Sequence, residues 1–68
     1  MQDVAIKDIY PRHETLGKDY DVTMGKRTGS PVVVKINESR YELIWGQQFL
    51  SQAEELDHDT IICKVLEP

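Results

Sequence analysis

At 68 residues the chain has room for one sheet and one or two helices in a single domain, near the lower size limit at which an apolar core holds a fold without disulfides or metals. A hydrophobic fraction of 40% beside 29% charged residues is that of a globular protein and excludes a disordered, apolar-poor chain. The net charge of -4 lies wholly in the second half, because residues 1–34 balance five acids with five bases while residues 35–68 hold seven acids and three bases. Such a chain is repelled by phosphate backbones unless a local basic patch overrides the field, which disfavours direct nucleic-acid binding.

Val4, Ile6 and Ile9 mark a first strand over residues 3–9, closed by Tyr10-Pro11, where proline forces its predecessor out of the helical region. Residues 12–30 are polar and contain Gly17, Gly25 and Gly29. Tyr20, Val22 and Met24 alternate as a strand does, whereas Leu16, Tyr20 and Met24 share one helical face, so periodicity leaves this stretch undecided between helix, strand and loop. From Pro31 the β-branched run Val32, Val33, Val34 and Ile36 predicts a central strand. The turn Asn37-Glu38-Ser39-Arg40 leads into a second strand, Tyr41 to Trp45, so the pair reads as a hairpin that ends at Gly46.

Phe49, Ala53 and Leu56, at spacings of four and three, predict an amphipathic helix from Gln47 to Leu56. Asp57-His58-Asp59 breaks it. Thr60 to Leu66 is then a last strand, with Ile61, Cys63 and Val65 on one face and Ile62 and Leu66 on the other. The expected fold is α+β, a small mixed sheet of about four strands with one or two helices, and the expected core is Val33, Leu43, Phe49, Ala53 and Ile61. The single cysteine, Cys63, cannot form an intrachain disulfide and falls in an apolar run, which points to a buried thiol in a reducing, cytoplasmic setting. No window approaches a membrane span, and the N-terminus has no basic-then-apolar signal pattern.

The order Pro31-Val32-Val33-Val34, Tyr41-Glu42-Leu43-Ile44-Trp45-Gly46, a helix from Gln47 and a closing strand from Asp59 resembles the N-terminal domain of ParB-like proteins in the ParB/sulfiredoxin class. Val4 to Pro11 also looks like that family's entry strand, while residues 12–30 stand where a longer helix is usual. The resemblance implies a single ParB-like domain over residues 1–68. It also implies chemistry at a Gly-x-x-Arg pattern, whose backbone N–H groups and arginine hold nucleotide phosphates. Here that pattern reads Gly46-Gln47-Gln48-Phe49, with phenylalanine in the arginine's place, so the domain is degenerate at its phosphate motif. Sulfiredoxin-like members carry a reactive cysteine directly after the glycine; here Gln47 stands there, which speaks against sulfinate reduction.

No Ser/His/Asp or Cys/His arrangement has a local signature, so no catalytic residues, cofactor or metal are expected and the chain is read as a non-enzyme. Glu54, Glu55, Asp57 and Asp59, interrupted by His58, form a solvated acidic stretch that a basic partner can read. Gln47 and Gln48 offer amides at a helix start, and Trp45 is a candidate anchor if exposed. These seven residues, Trp45, Gln47, Gln48, Glu54, Glu55, Asp57 and Asp59, are the expected partner-binding set. The expected role is a protein-binding module, of the kind a phage or mobile-element accessory protein uses to regulate or inhibit a host nucleic-acid enzyme. The alternative is a nucleotide- or DNA-binding module built on the Gly46 turn, the Gln47 and Gln48 amides, and Lys26 and Arg27.

Overall fold

The computed structural model describes all 68 residues. The N-terminal apolar segment forms two strands rather than one: β1 (Gln2–Ala5) and β2 (Ile9–Tyr10) are separated by a 3-10 turn at Ile6–Asp8. A short helix, α1 (Thr23–Thr28), precedes the hairpin of β3 (Val32–Asn37) and β4 (Arg40–Trp45); α2 (Gln47–Glu55) and β5 (Thr60–Leu66) complete the chain. The fold is α+β with a mixed sheet, as the residue pattern predicts, but the sheet has five strands, in the order β1-β5-β3-β4-β2. No helix is long and apolar enough to cross a membrane.

The strand order shows why the first segment breaks. β1 runs antiparallel to β5 at one end of the order, with Val4 opposite Ile61, and β2 runs parallel to β4 at the other, with Ile9 opposite Tyr41. In a flat sheet those two positions lie about 19 Å apart, four strand spacings, and three residues of 3-10 turn advance only about 6 Å. The sheet therefore curls until its ends meet, and the turn carries the chain across the gap. The Ile6 N–H, lost to both ladders, donates to the Asp59 carbonyl at 2.9 Å. Curling encloses a core of Val4, Val33, Tyr41 and Cys63, with Ile9, Leu43, Ile61 and Val65 packed against it.

β3 lies at the centre of the order, and Val32, Val33 and Val34 are all fully buried because both faces of this strand are covered. The expected core is correct for Val33, Leu43, Ala53 and Ile61, but Phe49 is not part of it. The buried residues of α2 are Leu50 and Ala53; Leu56 is 61% exposed and Phe49 half-buried. Phe49 instead packs its ring on Trp45, with centroids 5.7 Å apart and planes tilted by 58°. The undecided stretch 12–30 is a set of turns followed by the single helix α1, and its glycines serve different ends. Gly25 allows close packing: a Cβ there would lie 2.5 Å from Val32 Cγ2 and 2.7 Å from the Ser30 carbonyl oxygen.

Candidate functional site

The two ends of α2 carry all the residues the sequence marks for partner binding. Its N-terminus is set by Gly46, whose φ of 104° is open to glycine, and a Cβ there would meet Pro31 Cα at 2.8 Å. Gln47 and Gln48 follow on the exposed first turn, with the Gln47 amide donating to Ser51 Oγ at 3.0 Å. Trp45 is half-buried between Phe49 and Gly25, so it is a packing residue at the junction of the two helices, not an exposed anchor.

At the other end, the chain leaves α2 through paired reverse bonds: the His58 N–H donates to the Ala53 carbonyl at 3.0 Å and the Asp57 N–H to the Glu54 carbonyl at 3.1 Å. This is the Schellman arrangement, and it places Asp57 in the left-handed region at φ 58°, where glycine is usual. Glu54, Glu55, Asp57 and Asp59 are all exposed, and none is paired with a lysine or arginine; the ion pairs of the molecule are Lys35 with Glu38 and Arg40 with Glu42. The last turn of α2 contains no basic residue. Two glutamates thus sit at the negative end of the helix dipole, reinforced by two aspartates just beyond, an arrangement that is unfavourable for an isolated helix.

The seven residues are spread along α2: Gln47 and Gln48 are exposed on its first turn, the acids lie in and beyond its last turn about 10 Å away, and Trp45 is packed at the junction of the helices. No group of three or more His, Cys, Asp or Glu side chains is placed to hold a metal ion. An open cleft of about 520 Å³ adjoins the acids, lined by Ala5, Ile6, Lys7, His58, Asp59 and Thr60. Cys63 is buried in the core, its Sγ 3.6 Å from the Ile61 carbonyl oxygen. Burial first, and then the charge of Asp3, push its thiol up to about 11, so it is no nucleophile at neutral pH.

The burial of one strand residue has no sign in the sequence. Glu42 alternates with Tyr41 and Leu43 on β4 and so reads as solvent-facing, yet it is 0% exposed. Its carboxylate accepts the N–H groups of His13 at 2.9 Å, Glu14 at 3.0 Å and Thr15 at 3.0 Å, and the Thr15 hydroxyl at 2.9 Å. Burial on its own raises the carboxyl pKa, but the three backbone donors and the Thr15 hydroxyl outweigh it and hold the group at about 2. Arg12 braces the same turn, donating from Nε to Thr15 Oγ at 3.1 Å and from Nη2 to the Thr15 and Lys18 carbonyls. The Arg40 guanidinium, stacked 4.2 Å from the centre of the Tyr10 ring, lies 3.6 Å from the second carboxylate oxygen. This buried network fixes residues 12–18 over the sheet; no periodicity or composition in the chain announces it.

Comparison of the chain with protein-family models, with curated proteins and with solved structures finds no match.

Proposed function

We propose that this domain is a non-enzymatic binding module that docks on a basic protein surface through the acidic end of α2, formed by Glu54, Glu55, Asp57 and Asp59. One observation carries the reading: Glu54 and Glu55 stand exposed in the last turn of α2, where the helix dipole disfavours them, exposed Asp57 and Asp59 follow, and none of the four is in an ion pair with a lysine or arginine. Each such charge costs about 0.3–1 kcal/mol near a helix end at low ionic strength, and a cationic partner turns that cost into attraction. Basic protein surfaces of this kind are the ones nucleic-acid enzymes present to phosphates, so the acids are suited to compete there. A regulatory or inhibitory role in a phage or mobile-element setting is consistent with that chemistry.

The test uses wild type and the fourfold lysine reversal of Glu54, Glu55, Asp57 and Asp59 as immobilised baits in a host extract. Wild type is expected to retain nucleic-acid-binding proteins that are released by added duplex DNA, and the folded reversal variant to lose them. Equal retention by both baits contradicts the assignment.

A second reading rests on the junction of the helices. Gly29, at the end of α1, faces the Phe49 ring, and Pro31 abuts Gly46, so the end of α1, whose last turn carries Lys26 and Arg27, meets the start of α2. In a degenerate ParB-like domain this is where a nucleotide or DNA phosphate binds. Against it, Phe49 supplies an aromatic contact to Trp45 where that pattern carries an arginine. Titration with CTP, ATP and duplex DNA decides: millimolar or tighter binding that falls steeply with salt favours the phosphate reading.

A further inference from the structure

The cleft between the 3-10 turn and the start of β5 has a floor and a rim of different character. Ala5 and Ile6 are half-buried, and their backbone groups are engaged: Ala5 pairs with Thr60 across the ladder, and the Ile6 N–H is taken by the Asp59 carbonyl. What remains open there is apolar side-chain surface. The volume of about 520 Å³ is in the range of small-ligand pockets. The rim is charged and lopsided, with Lys7 on one wall and His58 and Asp59 on the other. Asp57 immediately precedes that second wall, and exposed Leu56 separates it from Glu54 and Glu55.

From this placement we infer that the cleft seats an apolar side chain of a basic peptide segment, whose flanking lysines or arginines lie along Glu54, Glu55, Asp57 and Asp59, away from Lys7. The inference rests on the acidic-surface reading and adds the occupant. The acids supply attraction and orientation, while the apolar floor supplies selectivity, because desolvating a leucine-sized side chain rewards a matching partner and not a merely cationic one.

The probes are two pentapeptide amides, each with two lysines on either side of a central residue that is leucine in one and alanine in the other. Titrations are followed by amide chemical shifts of the full chain. The leucine peptide is expected to bind roughly tenfold more tightly, with the largest shifts at Ile6 and Thr60. Thr60→Trp, which fills the cleft from an exposed position, and Ala5→Leu, which fills it from the floor, should abolish the leucine advantage and leave the alanine peptide unaffected. Equal affinity of the two peptides, both lost in the fourfold lysine reversal, overturns the cleft assignment and leaves the acidic surface standing. Failure of wild type to bind either peptide overturns both. Self-association of the free chain that is lost in Thr60→Trp assigns the cleft to a second copy and likewise overturns the proposal.

Discussion

Glu42 shows how much of this small fold depends on one side chain that contributes nothing to its apolar pattern. Three consecutive backbone N–H groups converge on a single carboxylate, and its charge is what makes them converge. Because the folded-state pKa lies near 2, below the ordinary value of 4.5, the stabilisation is fully present above about pH 5 and drains away as the pH falls toward 2. Glu42→Gln puts an amide where one oxygen accepted donors, and should cost roughly 2–4 kcal/mol at neutral pH. Urea unfolding across pH 2 to 7 should show the two proteins converging at the acid end; a constant gap would mean that the carboxylate's charge is not what holds residues 13–15. A strand glutamate between two core residues gives no sign of burial in a sequence, since its partners are backbone groups more than 25 positions away. That is why the burial of Glu42 goes unread in the sequence while Cys63, whose environment follows from its apolar neighbours, is read correctly as buried.

At the scale of elements, what is local is legible. The β3–β4 hairpin and β5 follow from β-branched runs and a polar turn, and α2 begins at Gln47, as expected, and ends within one residue of the expected boundary. The face of α2 is another matter. Phe49, Ala53 and Leu56 fit a helical stripe as well as Leu50 and Ala53 do, and only the direction in which Gly46 launches the helix, against Pro31, chooses between them. Consequently Leu50→Ala should cost about 2–4 kcal/mol, whereas Phe49→Ala, losing a half-exposed ring and one aromatic contact, should cost about 1–2 kcal/mol. Thermal or urea melts that reverse this order would restore the Phe49 stripe. The first strand divides for a reason invisible at that scale: a continuous segment cannot pair with β5 and β4 together unless the sheet closes on itself.

For the whole molecule, the uneven charge of the sequence becomes a located feature. The acids of residues 54–59 are legible as a patch because exposure and net charge require no tertiary information; that they are divided by about 10 Å from Gln47 and Gln48, and from the packed Trp45, is not. Their position at the end of α2 sets up opposite signs for folding and binding. Replacing Glu54 and Glu55 by lysine puts cations where the dipole favours them, so the free domain should gain up to about 1 kcal/mol, a rise of about 4–8 °C in Tm for a chain of this size. The same change removes half of the proposed docking surface. Thermal melting of wild type and of Glu54→Lys/Glu55→Lys, each at low salt and with increasing amounts of the lysine-flanked leucine peptide, reads both effects at once. The variant should start at the higher Tm and climb less with peptide, while wild type starts lower and climbs more steeply; a variant that melts below wild type and climbs as steeply would overturn the assignment of these acids.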